Sequence, residues 1–245
     1  MEVHAHSHTE RKKWKHYFWE FLMLFLAVFC GFMAENQREH FIEHQREKQF
    51  IRSLIKDVEA DVIKLKDIIV ARDEREERLD SLSFLINSDS AEKYTRDIYY
   101  LAITIPRVTH YQFTQSDGTM QQLKAGGLRL LRKRNAVDSI VKYDRNVKSM
   151  IRLDDQEQDI LNIHRQMAPQ LFLGTALGKF SDEDNLPKRV DYSPPLMPGY
   201  KNSLNEFNYR IVSIRNVNKG YRREARKLLG EALNLIETLK AEYGY

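Results

Sequence analysis

One run of residues constrains this chain more than any other. Phe21 to Ala34 reads "FLMLFLAVFCGFMA", and Phe18, Trp19 and Glu20 extend it to 17 residues. At ~1.5 Å per residue a helix of that length covers roughly 25 Å, near the short end for a bilayer span. Trp14, Tyr17 and Trp19 place interfacial aromatics at its N-terminal side. The next longest apolar stretch, "IYYLAITI" (98–105), is too short to cross. The expectation is one transmembrane helix over residues 17–34, preceded by a basic tail (1–16) and followed by a single domain (35–245).

A cleaved leader fits poorly, because Phe32-Met33-Ala34 puts a bulky residue where signal peptidase needs a small one. Phe29 before Cys30 likewise disfavours a lipoprotein site. An uncleaved signal anchor is the better fit. Arg11, Lys12, Lys13 and Lys15 precede the span, while Glu35-Asn36-Gln37-Arg38-Glu39 follows it. The positive-inside rule then leaves the N-terminus in the cytoplasm and sends residues 35–245 across a bacterial inner membrane into the periplasm. Cys30 is the single cysteine, so no disulfide forms within one chain.

Beyond the span the pattern is helical. Glu35 to Leu85 has no proline or glycine, and Ile51, Leu54, Ile55, Val58, Val62, Leu65, Ile68 and Ile69 form a stripe that resumes at Leu79, Leu82 and Leu85. The run "RDEREER" (72–78) interrupts it and reads as a fraying or solvated stretch. Ser90 is expected to cap a short segment ending at Pro106, with a strand over Ile103–Ile105 as the lesser alternative. "TMQQLKAGG" (119–127) reads as a short helix ended by paired glycines. Asn135 and Asp138 suggest a capping box opening a helix that stops before Pro169.

Residues 169–202 hold five of the six prolines and read as a long irregular connection. The last helix carries Leu204, Phe207, Ile211, Ile214, Asn218, Tyr221, Ala225, Leu228, Ala232, Leu235 and Leu239 in steps of three and four. This is a heptad seam with one polar position, Asn218. The predicted fold is all-α: the N-terminal transmembrane helix continues into an antiparallel helical bundle with one long Pro-rich loop.

The stretches "KKWKHYFWEFLMLFLAVFCGFMAENQREHFIEHQREKQFIRSLIKDVEAD" and "GTMQQLKAGGLRLL" resemble an uncharacterised family of bacterial membrane proteins common in Bacteroidota. The likeness is strongest over residues 11–61 and 113–143. It implies a basic, often histidine-containing N-terminus, one span and a helical remainder; it supplies no catalytic residue or ligand.

Four features invite chemistry. His40-x-x-Glu43-His44 has the spacing of a zinc-hydrolase helix, with two imidazoles on one face and a carboxylate to activate water. No third ligand follows at a recognisable spacing, so the expectation is a solvated juxtamembrane turn with metal as a remote alternative. "HAHSH" (4–8) is a weak transition-metal binder at most. Ala27, Cys30, Gly31 and Ala34 share one helical face as small-xxx-small pairs that let two spans approach.

Lys124, Arg129, Arg132, Lys133 and Arg134 open a basic stretch to Arg152 that would suit an anionic partner, unless the acidic runs "DDQEQD" and "RDEREER" neutralise it. "SDEDN" (181–185) lacks the glycine and terminal glutamate of a calcium loop and reads as an acidic turn.

The chain of 245 residues carries a net charge of only +4, and no nucleic-acid module accompanies the basic stretch. No phosphate-cradling loop, nucleophile elbow or CxxC is present, so neither cofactor nor catalysis is expected. The functional expectation is a membrane-anchored scaffold or interaction protein, contacting the bilayer and a protein partner or a second copy of itself. The alternatives are an extracytoplasmic ligand-sensing bundle acting through a partner and, remotely, a zinc-dependent hydrolase.

Overall fold

The computed structural model describes residues 14–107 and 111–245. "HAHSH" and Arg11–Lys13 lie outside the described residues. The fold is all-α, and no strand occurs among the described residues. Its principal helices are α1 (Trp14–Ile86), α2 (Thr95–Thr104), α3 (Gly118–Lys124), α4 (Arg134–Gln166), α5 (Ala168–Leu171), α6 (Gly174–Leu177) and α7 (Leu204–Tyr243). Residues 1–50 and 51–245 form two compact units, with α1 contributing to both.

In the first unit, α1 contains the only segment among the described residues long and apolar enough to cross a membrane. None of that segment is buried within the chain. By length and composition this segment could span a membrane.

The second unit is built on three long helices. Glu59 meets Lys240, Asp73 meets Arg222, Glu76 meets Lys219, Asp80 meets Arg215 and Asn87 meets Asn208. Numbers rise along α1 as they fall along α7, so these helices run in opposite directions. Asn135–Glu242 and Lys142–Glu231 set α4 opposite to α7 in the same way. Tyr143 reaches Asp61 and Glu157 reaches Arg72, so α4 runs parallel to α1. That parallel pair needs a long crossover, supplied by residues 87–133.

The crossover is tied down by α1. Asp57 accepts the Thr119 N–H (3.1 Å), and buried Asp61 accepts the Ser116 N–H (2.7 Å) and the Tyr143 hydroxyl (2.8 Å). Carboxylates at the start of α3 satisfy N–H groups that have no partner within the helix. Lys64 adds bonds to the Thr114 carbonyl and the Ser116 hydroxyl.

Several local expectations are corrected. Ser90 makes no side-chain cap; it leads into a short 3₁₀ turn (Ala91–Lys93), and α2 opens at Thr95 without one. The segment before Pro106 is helical as expected, and the lesser alternative of a strand does not occur: Ile103 and Thr104 close α2, Thr104 returning its hydroxyl to the Tyr100 carbonyl. Asn135 lies inside α4, which opens at Arg134, and its amide donates to Glu242 instead of forming a capping box.

Residues 169–202 are less irregular than their prolines suggest. They hold parts of short helical turns and two isolated bridges, Phe172–Leu196 and Ser181–Pro187. Leu171, Phe172, Phe180, Leu196 and Tyr200 are buried, so apolar anchoring fixes this segment over the core. The α7 seam is also buried, from Phe207 to Leu239. It is occupied within the chain, by packing against the other long helices, and offers no free heptad face.

Candidate functional site

The residues singled out by sequence fall into three separate places. Ala27, Cys30, Gly31 and Ala34 are all exposed on α1, and a Cβ added at Gly31 meets nothing within 4 Å. His40 and His44 lie one turn apart, each beside the carboxylate three residues on: His40 Nδ1 to Glu43 at 4.0 Å, His44 Nδ1 to Glu47 at 3.3 Å. Among the described residues no group of three or more His, Cys, Asp or Glu is arranged to hold a metal.

The basic stretch is partly neutralised. Asp144 pairs with Lys124 (2.5 Å) and Lys148 (3.1 Å), and these two ammoniums outweigh the opposing effect of burial, holding its carboxyl below the usual range. Lys142 pairs with Glu231, and Arg134 with Asp138. Arg129, Arg132, Lys133 and Arg134 remain on the surface.

The most demanding electrostatics lie in the core, where the charged run was expected to be solvated. Arg72 and Arg75 are wholly buried (0% exposed). Arg72 spends its five donor hydrogens on the Tyr111 carbonyl (Nε 3.0 Å, Nη2 2.7 Å), on both Glu157 oxygens (3.3 and 2.8 Å) and on Asn218 (3.3 Å). Its guanidinium also covers the Tyr221 ring. Arg75 bonds the Ile105 carbonyl and Glu157, while its Nη2 has no partner.

Burial opposes a charge on Glu157, but Arg75 and Arg72 outweigh it and hold the carboxyl below the ordinary range. Burial also pulls the Arg75 value down; a guanidinium starts so high that it stays charged. Asp154 lies next to the cluster, near Tyr221; burial raises its pKa to about 6. Tyr221 in turn accepts the Phe113 N–H (2.9 Å). The acidic run "DDQEQD" thus turns two carboxylates toward α1 and α7 rather than serving the basic stretch. At neutral pH two guanidiniums face two carboxylates, an arrangement that is costly to desolvate and specific in register.

Beyond this cluster lies a cavity of about 790 Å³. Ile103, Phe172, Leu177 and Phe207 supply apolar wall. Arg78, Arg107, Arg165 and Asp184 supply charge. His164, only 5% exposed, also lines it. The His164 ring lies against Phe207 (centroids 5.1 Å apart), and its Nδ1 has no hydrogen-bond partner. Burial and the nearby Arg165, Arg75 and Arg210 lower its pKa to about 4, so the ring is neutral at physiological pH.

No family model, no curated protein and no solved structure matches this chain.

Proposed function

We propose that this chain is a single-span membrane protein of a bacterial inner membrane that acts by binding, as a scaffold or accessory subunit of a membrane assembly. What carries this reading is the exposed apolar segment of α1, in which Phe21 is 66% and Leu24 72% exposed, flanked by Trp14 and Trp19. Lipid removes the cost of exposing it. The basic N-terminal flank favours a cytoplasmic tail and a periplasmic helical domain.

With the α7 seam occupied, the small-residue face at Ala27, Cys30, Gly31 and Ala34 is the surface through which we propose association. The resemblance to the Bacteroidota family of anchored helical proteins agrees with this architecture.

A reporter active only in the periplasm, fused after Tyr245, tests the topology: activity is expected, and an inactive fusion present at normal level would overturn it. Oxidative crosslinking at Cys30 in native membranes tests association; a disulfide-linked dimer is expected, and an exclusively monomeric band would refute close contact at that face. A second reading, a ligand-sensing bundle working through a partner, is favoured by one observation: the cavity with His164 in its wall.

A further inference from the structure

The cavity combines features that one class of ligand would satisfy. Its volume of about 790 Å³ lies within the roughly 300–1,000 Å³ typical of small-molecule sites. Its walls at Ile103, Phe172, Leu177 and Phe207 present hydrocarbon and aromatic surface. Its charges are predominantly positive: Arg78, Arg107 and Arg165 against Asp184.

The hydrogen-bond partners of these arginines sharpen the point. Arg165 donates to the Pro106 carbonyl (2.7 Å) and the Asn162 side chain (2.8 Å). Arg107 donates to the Ile103 and Asn185 carbonyls, the Asn185 side chain and the Ser181 hydroxyl. Those acceptors are all neutral, so they orient the two guanidiniums without cancelling their charge. Only Arg78 bonds a carboxylate, that of Glu74 (3.0 Å).

His164 borders the cavity with its ring stacked against Phe207, adding neutral aromatic surface to the apolar wall; its Nδ1 is enclosed by the chain.

We propose that this cavity binds a small organic anion with an apolar body, a carboxylate on a short alkyl or aryl chain. Its oxygens meet the field of Arg107 and Arg165, and its hydrocarbon lies against Ile103, Phe172, Leu177 and Phe207. The inference rests on the ligand-binding reading and is independent of the anchor, whose failure the reporter fusion reads separately.

Calorimetry on the full chain in phosphatidylcholine nanodiscs, with heats from empty discs subtracted, tests it. The probes are octanoate and 4-phenylbutyrate, with 4-phenyl-1-butanol and 4-phenylbutylamine as the neutral and cationic counterparts. Saturable binding of at least one carboxylate is expected below about 10 mM, with the alcohol at least about tenfold weaker and the amine not bound. Leu177→Trp, which fills the cavity, and Arg165→Gln, at an exposed position, should each weaken carboxylate binding by about fivefold or more while far-ultraviolet circular dichroism is unchanged.

Should Leu177→Trp not fold, Arg165→Gln decides the location. No saturable binding of either carboxylate overturns the proposal. An alcohol that binds as well overturns the anion class, and unchanged binding in the folded variants overturns the site.

Discussion

The Arg72 guanidinium lies 3.3 Å from the centre of the Tyr221 ring, so a cation from α1 is stacked on an aromatic face of α7 inside the core. The same Arg72 bonds Asn218, one turn earlier on α7, and Glu157 on α4. One side chain therefore ties all three long helices at one level. Stacking and hydrogen bonding suit a planar, weakly hydrated guanidinium far better than an ammonium. Arg72→Lys should accordingly destabilise the protein by about 2–4 kcal/mol despite retaining the charge. Thermal unfolding of the full chain in detergent, followed by circular dichroism, measures this.

Glu157 is the counter-charge for both arginines. Glu157→Gln would leave two buried guanidiniums short of an anion and is expected to cost about 3–5 kcal/mol at pH 7. The sign of its pH dependence follows from its depressed folded-state pKa. Its stabilisation is full above the unfolded carboxylate range and is lost as pH falls through the lower folded value. The gap between wild type and Glu157→Gln should therefore narrow on acidification. Denaturation midpoints measured from pH 7 down to pH 3 check this.

Asp154 behaves oppositely. Its pKa is raised to about 6, chiefly by burial, so the folded state favours its protonated form. It imposes nothing below the unfolded value of 3.8; its penalty grows between there and about 6 and stays constant above. Because Asp154 is only partly buried, solvent screening reduces the effect to about 1 kcal/mol. Asp154→Asn should be more stable than wild type by that amount at pH 7.5 and equal to it near pH 4. A difference that widened on acidification would contradict the assignment.

His164 makes the protein acid-sensitive in a different window. Its folded pKa of about 4 lies below the unfolded 6.5. Above pH 6.5 both states are neutral and nothing is lost. As pH falls from there toward 4 the unfolded chain takes up a proton that the folded chain does not, and stability drops by about 2–3 kcal/mol. His164→Gln, which cannot protonate, should remove that slope while leaving the Glu157 contribution at lower pH. Urea midpoints for both proteins across pH 4–7 measure the difference.

How much of this was legible in the sequence depends on which residues stand in the seam. The α7 seam was read directly, since all but Asn218 and Tyr221 between Leu204 and Leu239 are plainly apolar. The α1 seam runs Leu65, Ile68, Arg72, Arg75, Leu79 and Leu82, in steps of three and four throughout. Its two arginines hold the phase of the stripe instead of breaking it. The α4 seam does the same with Val147, Met150, Asp154, Glu157 and Leu161.

Opposite charges at seam positions of two helices, with an asparagine in the third, are the signal that a reading based on hydrophobicity passes over. The cavity carried no comparable signal. Its walls come from α1, α2, α4, α5, α6, α7 and the segment around Asn185, which only the tertiary fold brings together.

The glycines separate backbone requirements from mere tolerance. Gly126 has φ +133°, a conformation an L side chain rarely adopts, and a Cβ on Gly127 would stand 3.1 Å from the Gln122 carbonyl oxygen. Both stand at the turn following α3, where the chain reverses against Leu123. Gly126→Ala and Gly127→Ala should each destabilise by about 1–2 kcal/mol, the first through strain and the second through displaced backbone. Gly230 is exposed within α7, and a Cβ there meets nothing within 4 Å. Gly230→Ala removes only unfolded-state freedom and should stabilise the protein by about 0.5–1 kcal/mol. Thermal midpoints of the three variants must therefore move in opposite directions; a rise for Gly126→Ala would mean that the turn after α3 is built differently.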